Sequence, residues 1–217
     1  MAEYKIRGTK VVTPYPAQLT PGEVRLIFGL EKIFLAERIF ADCYFPKVDP
    51  KLGVRRVVTK ADLVQIDCMV VDESGVYVFE SKDYVGWIYA HGKRVHWTQV
   101  SGYGKNKHQF YSPVRQNESH IAAVRTVIGE EVPIYSVVVF GREATLKVVE
   151  DLPENCIVCT QAEIRNIMGR MSQEKCLNTA QVEELCQAAR RGLVNPDGVV
   201  RTEHIEEVQG IAGEGGN

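Results

Sequence analysis

Two apolar runs joined by a four-residue turn constrain this chain more than any other feature. Residues 63–71 read LVQIDCMVV, residues 76–82 read VYVFESK, and Asp72-Glu73-Ser74-Gly75 lies between them. Short runs rich in β-branched and aromatic residues, bounded by a turn cluster, are strands. Apolar residues fall on both faces near the turn, so the hairpin is expected to be buried on both sides. If residues 72–75 close the turn, Val71 faces Val76. Asp67 then stands opposite Glu80, and Gln65 opposite Lys82. A two-residue turn centred on Glu73-Ser74 gives the same register.

Residues two apart on a strand share a face, so Glu80 and Lys82 project together alongside Asp67. Opposed Cβ atoms in such a pair lie roughly 4.5–5.5 Å apart. Two ionised carboxylates that close repel each other. A shared proton offsets the repulsion by raising one pKa, and so does a cation. Hard oxygen donors at this spacing suit Mg²⁺ or Mn²⁺, which take few carboxylates and keep several waters. A protonated Lys82 cannot ligate a metal, but it can orient an attacking water or stabilise a phosphorane-like transition state. The set fits metal-assisted hydrolysis of a phosphodiester. It also fits a salt-bridge network at a sheet edge, which contributes little when exposed. The spacing alone leaves both readings open.

Around the hairpin, the 217-residue chain divides by pattern. Residues 1–21, with Pro14, Pro16 and Pro21, read as an irregular arm or edge strand. Thr20-Pro21-Gly22-Glu23 is a helix start, and apolar residues recur at helical spacing as far as Phe40. Residues 42–56 read as loop. Residues 87–90 and 94–100 read as short strands, and residues 101–111 as a glycine- and lysine-bearing loop. Ser112 caps a helix that opens at Pro113 and runs to Ile128. Strands are expected over 133–141, 145–149 and 156–160, and helices over 161–171 and 179–191. Residues 209–217 are Gly-rich and expected to be disordered. This is an α/β chain with a mixed sheet flanked by helices. The expected division is an arm over 1–21, a main domain carrying the hairpin over 22–160, a helical C-terminal extension over 161–208 and a tail over 209–217.

Several strings beyond the carboxylate pair occur in a fixed order. They are Gln65-Ile66-Asp67, then residues 75–82, Gly86-Trp87-Ile88, Trp97, Pro113-Val114-Arg115-Gln116-Asn117 and His120. Together they resemble the nuclease-related domain (NERD) family of the PD-(D/E)xK superfamily, over roughly residues 31–141. The resemblance implies a restriction-endonuclease-like fold and a Mg²⁺- or Mn²⁺-dependent nuclease. Asp67 and Glu80 match its metal ligands, Lys82 its catalytic lysine and Gln116 the glutamine on the helix after the sheet. It also implies an acidic residue on the first helix. Glu31 is assigned that place with Glu37 as substitute, although Gly29-Leu30-Glu31 departs from the family's Gly-Glu pair.

The implied partner is nucleic acid, in the first instance DNA, with a protein partner such as a helicase compatible with it. Formal net charge is −2, so such binding requires local basic patches rather than bulk charge. Two clusters qualify: Arg55 and Arg56 before the Asp67 strand, and Lys105 and Lys107 beside Tyr103, Phe110 and Tyr111. A non-catalytic binding or regulatory module on the same fold is the competing reading.

His120 shares a helix face with Gln116 and reads as a helix-packing residue. The six cysteines do not read as a disulfide framework, because several lie in apolar strands and the first ten residues carry no apolar leader segment. Cys156 and Cys159 face opposite sides of a strand, which suits neither a metal nor a bridge. With no apolar run of roughly 20 residues, the expectation is a reduced, cytoplasmic protein without a membrane span.

Overall fold

The computed structural model describes residues 3–6, 9–12, 19–49, 51–54, 56–102 and 104–196. Pro14 and Pro16 of the expected arm, Arg55, Tyr103 and the expected tail over 209–217 lie outside these residues.

The chain order is β1 (Glu3–Ile6), β2 (Thr9–Val12), α1 (Pro21–Leu30), β3 (Ile39–Pro46), β4 (Val48–Asp49), β5 (Gly53–Val54), β6 (Leu63–Asp72) and β7 (Gly75–Lys82). Then follow β8 (Gly86–His91), β9 (His96–Ser101), β10 (Asn106–Tyr111), α2 (Pro113–Ile128), β11 (Ile134–Phe140), β12 (Ala144–Glu150), β13 (Cys156–Thr160), α3 (Ile164–Met171) and α4 (Thr179–Gly192). A seven-stranded mixed sheet runs β1-β2-β3-β6-β7-β11-β13, and a four-stranded sheet runs β10-β9-β8-β12. The expected mixed α/β architecture flanked by helices is what forms.

Both faces of the large sheet are covered. Leu26, Ile27 and Leu30 of α1 and Ile164 and Met168 of α3 meet Cys68, Val70, Tyr77 and Phe79 on one face. Ala123, Val124 and Ile128 of α2 and Val182, Cys186 and Ala189 of α4 meet Met69, Val71, Val76 and Val78 on the other. A central hairpin buried on both sides has no polar face, which is why β6 and β7 read as near-continuous apolar runs. The smaller sheet packs Ile88, Ala90, Trp97 and Phe110 over Val138 and Phe140 of β11.

Three expectations need correction. The helix expected to reach Phe40 ends at Leu30, and Ile39 and Phe40 begin β3. Apolar residues in this stretch satisfy helical spacing, but the β-branched and aromatic string IFADCYFP pairs with β6 from Ile39↔Val70 to Pro46↔Leu63. Within the expected loop over 101–111, residues 106–111 form β10, paired with β9 from Asn106↔Ser101 to Tyr111↔His96. As an edge strand it buries only Phe110, so its sequence lacks a strand's apolar pattern. Ser112 does precede α2 as its cap residue, yet its side chain makes no capping bond and its buried Oγ has no partner.

The hairpin turn is tied down on several sides. Ser74 Oγ lies 2.7 Å from both Asp72 Oδ2 and the Tyr77 hydroxyl, and Glu73 O accepts from the backbone N–H groups of Cys176 and Leu177. Gly75 has φ +128°, and a Cβ there would lie 2.7 Å from the Pro133 carbonyl oxygen. Only glycine fits both conditions. Gly75→Ala is expected to destabilise the fold by about 2–3 kcal/mol, read from the urea midpoint. An unchanged midpoint contradicts this account of the turn.

Candidate active site

The site forms where two neighbouring strands separate. The β6–β7 ladder runs in the expected register from Asp72↔Gly75 to Cys68↔Phe79 and stops there. Beyond that step β6 pairs only with β3, and β7 only with β11, through Val138↔Glu80 and Phe140↔Lys82. Asp67 and Glu80 would form the next rung. Instead Asp67 Oδ2 accepts a 2.8 Å hydrogen bond from the Ser81 backbone N–H. Gln65 does not reach Lys82 as its expected register requires. It pairs with Tyr44 and donates to Asp42 Oδ1 at 2.7 Å.

Asp67 also marks a break in alternation. Ile66 and Met69, three apart, both pack on the α2 face, and so do Phe40 and Cys43 on β3. The breaks face each other, because the β3–β6 pairing passes from Ala41↔Cys68 to Cys43↔Ile66. Asp42 stands at that step with φ +50° and is buried. A non-glycine residue there stores backbone strain of the kind that accumulates at functional sites.

On β7, Glu80 and Lys82 continue the face of Val76 and Val78, toward α2. Glu80 is 2% exposed, with Oε1 2.5 Å from Lys82 Nζ. Lys82 Nζ also donates to Gln116 Oε1 on the first turn of α2 at 3.1 Å. The other Glu80 oxygen, Oε2, is buried without a hydrogen-bond partner. His120 Nδ1 lies 3.7 Å from it.

His120, read from sequence as a packing residue, therefore sits behind the acid. Burial, with the Lys82 charge adding to it, holds its pKa down to about 4, so it is neutral at pH 7. With the proton on Nδ1 its ring donates to Asn117 Oδ1 at 3.2 Å. Asn117 in turn donates to the Val78 carbonyl and to Ser136 Oγ, each at 3.0 Å. This buried relay fixes the inner wall of the site; in the sequence, Asn117 stands out only as the last residue of the string Pro113-Val114-Arg115-Gln116-Asn117.

Burial, joined by the neighbouring Glu80 and Glu23 charges, pushes the Asp67 pKa up to about 8 against the Ser81 hydrogen bond and the Lys82 charge. Burial also raises Glu80, reinforced by Glu23 and opposed by Lys82 and Gln116. Glu23 is thus the first-helix acid whose charge is felt at the site. Glu31, expected in that place from the sequence, lies elsewhere. Glu31 caps the other end of α1, eight residues or roughly 12 Å along the axis from Glu23. Its shift arises from burial and Lys32. Glu37 lies in a 3-10 turn, Ala36–Arg38, beyond the end of α1.

The signal for Glu23 was present, since Gly22-Glu23 is itself a Gly-Glu pair. It was masked by the role of Glu23 in the capping box, where Oε2 accepts from the Thr20 N–H at 2.6 Å. Gly22 lets α1 approach β7, because a Cβ there would meet Asp83 Cγ at 3.1 Å. Arg25, one turn on, holds Asp83 at 2.9 Å.

Among the described residues no group of three or more His, Cys, Asp or Glu side chains is arranged to hold a metal ion. A cation bound here would take one or two carboxylates and complete its shell with water and a substrate oxygen, as Mg²⁺ and Mn²⁺ do. The orphaned Glu80 Oε2 and the destabilised Asp67 charge fit that group. The basic candidates stand apart. Arg56 is exposed ahead of β6, while Lys105 and Lys107 are exposed on the β9–β10 hairpin of the smaller sheet. Cys156 and Cys159 pack into different cores and are free thiols.

A match to the family described as nuclease-related domain spans residues 20–141. An uncharacterized protein of Bacillus anthracis is 38% identical over 106 residues, which cover 46% of this chain and 49% of the relative. The chain thus spans about half the length of the curated relative it matches. No solved structure matches it. No helix among the described residues is long and apolar enough to cross a membrane.

The raised Asp67 pKa has a signed consequence for the metal-free protein. Folded Asp67 keeps its proton up to about pH 8, while the unfolded chain releases it near pH 4. The folded state therefore binds more protons between those values, and its stability falls as pH rises through that window. Asp67→Asn removes this loss. In EDTA the variant is expected to melt above the parent protein at pH 8, with the gap closing toward pH 4. A gap independent of pH would show that Asp67 is not the titrating group.

Proposed function

We propose that this chain, which belongs to the nuclease-related domain family, hydrolyses phosphodiester bonds of nucleic acid, DNA in the first instance, with a bound Mg²⁺ or Mn²⁺ ion. The observation that carries the reading is a buried Glu80 beside a half-buried Asp67 at the fork of two strands, with one Glu80 oxygen unpartnered and a lysine held beside it. A structural ion pair would gain by satisfying both Glu80 oxygens, whereas a ligand for an incoming cation keeps one available.

The metal ion would polarise the phosphate and lower the pKa of a bound water, with Asp67 and Glu80 as its protein ligands and Glu23 beside them. Lys82 places its ammonium next to the reacting phosphate, where negative charge builds as the water oxygen bonds to phosphorus and the ester oxygen leaves. Gln116 fixes that ammonium through its 3.1 Å bond. His120 and Asn117 hold the inner wall without taking part in proton transfer. The fork sits between α1 and α2, so two helices and two strand ends fix the reacting geometry. The remainder of the proposal is an intracellular role in nucleic-acid processing, with a protein partner such as a helicase directing the enzyme to substrate.

Incubation of end-labelled DNA with the protein and Mg²⁺ or Mn²⁺ tests the reading. Cleavage is expected to fall by roughly 10²–10⁴-fold in Lys82→Ala and Asp67→Asn and by less in Glu23→Gln. Cleavage that persists in Lys82→Ala would falsify this mechanism. A non-catalytic binding module would instead bind DNA and cut none of it with either metal.

Metal binding provides a second measurement. The ion binds only the folded state, so Mn²⁺ at 100 times its dissociation constant is expected to stabilise the protein by about 2.7 kcal/mol. That rise in Tm should disappear in Glu80→Gln, while the metal-free variant remains folded. A metal-free Glu80→Gln protein that fails to fold would make Glu80 a structural partner rather than a ligand.

A further inference from the structure

The smaller sheet presents an outer face that the fold does not use. On β8, Ile88 and Ala90 point inward to the core, and Trp87 and Tyr89 point out, 39% and 37% exposed. The ladders carry this face across the sheet. Trp87 pairs with Val100 and Tyr89 with Thr98, while Val100 pairs with Lys107, Thr98 with Gln109 and His96 with Tyr111. Tyr111 is 51% exposed. From the other side, β12 places Lys147 Nζ 5.1 Å from the centre of the Trp87 ring. Three large aromatic side chains on one solvated sheet face are more than scattered surface apolar residues.

Charge distribution says what covers the face. Residues 84–117 contain Lys93, Arg94, Lys105, Lys107 and Arg115 and no Asp or Glu, so the rest of the chain carries all 28 acidic residues. One local acid, Asp151, is engaged with His91 and Lys93 at 3.2 and 3.5 Å. Glu150 lies at the far end of β12, opposite His91. No described acidic side chain pairs with Lys107 or Lys147. A chain of net charge −2 has thus gathered cations and exposed aromatic rings on one sheet.

We propose that this outer face binds single-stranded nucleic acid, with bases stacked on Trp87, Tyr89 and Tyr111 and phosphates against Lys107 and Lys147. Aromatic platforms combined with a basic track bind single strands without sequence preference, because every unpaired base offers a π-face. A duplex keeps those faces stacked inside. The inference rests on the proposed hydrolytic function in taking nucleic acid as the ligand. It adds a second contact region outside the carboxylate fork and a preference for unpaired strand. The connection is short: β10 ends at Tyr111, and Gln116, which holds Lys82, follows five residues later.

The test uses the full chain in EDTA with a fluorescein-labelled thirty-nucleotide oligo(dT) and, in parallel, a duplex of the same length. Anisotropy reports binding, and intrinsic emission reports stacking, because Trp87 is exposed while Trp97 is 1% exposed. Oligo(dT) is expected to bind at least tenfold more tightly than the duplex and to quench tryptophan emission as it saturates. Trp87→Ala with Tyr89→Ala should weaken oligo(dT) binding by roughly 100-fold, while Trp87→Phe retains most of it. Lys107→Ala should reduce the salt dependence by about one counterion.

With Mn²⁺, the double variant should hydrolyse bis(p-nitrophenyl) phosphate, a diester too small to span the face, as fast as the parent. Unchanged oligo(dT) binding in a folded double variant overturns the inference, as does saturation without quenching or equal affinity for duplex. So does a dimer that Trp87→Ala dissolves in a protein that binds no oligonucleotide. If the parent hydrolyses no diester but the double variant still loses oligo(dT), the proposed activity fails and this face stands. If the small diester is cut and oligo(dT) ignores the substitutions, the reverse holds.

Discussion

One hydrogen bond separates this site from an ordinary hairpin: the Ser81 N–H donates to the Asp67 carboxylate rather than to a strand carbonyl. At that step the β6–β7 ladder ends, and each strand continues with its other neighbour. A backbone donor buried in a sheet must find an acceptor. A side chain that supplies one lets the strands part without leaving the donor orphaned. Beside that gap Lys82 meets Gln116 on the first turn of α2, and the Glu23 charge on α1 bears on Asp67. Were Asp67 unable to accept that bond, the ladder would have reason to continue, and the carboxylates would have no fork to occupy.

The fork is held open against its own electrostatics. Burial disfavours the charged forms of Asp67 and Glu80, and Glu23 adds to both. Lys82 offsets part of this at Glu80, but the Asp67 charge finds only a backbone N–H and a more distant ammonium. Asp42 adds strain, with a positive φ at the facing position of β3. Such local conflict persists where surrounding structure over-determines it. Two apolar cores on opposite faces of the sheet supply that structure, each built on its own pair of helices. The C-terminal segment takes part directly, since α3 lies in one core and α4 in the other.

The hairpin was legible because its register follows from turn position alone, and period-two alternation fixes which residues share a face. Glu80 and Lys82 therefore fall on one face from the sequence alone, and Gln116 is named by the family's string, but the rung expected between Asp67 and Glu80 does not form. The same reasoning failed where one residue serves two purposes. Glu23 closes a capping box, and that local role hid its charge, while Glu31 sat in a plausible helical position one end too far. It also failed where alternation breaks: Gln65 was projected opposite Lys82 on the assumption that the ladder continued. Pattern cannot report a ladder's end, because the strands remain extended on both sides of it. β10 escaped because an edge strand with one buried side chain has no apolar period to detect.

Net charge near zero excludes binding of nucleic acid by bulk charge, and the structure shows where local charge is gathered instead. Charge acts over about a Debye length, near 10 Å at ordinary ionic strength, so a distant acid does little to cancel a basic face. The acid-free stretch over 84–117 falls on one sheet and on the helix that follows it, while acids are concentrated elsewhere, including the fork itself. An acidic fork alone repels a polyanion until a cation enters, so affinity for strand must come from another surface. The proposed surface takes Trp87, Tyr89, Lys107 and Tyr111 from the stretch between Lys82 and Gln116, and Lys147 from β12.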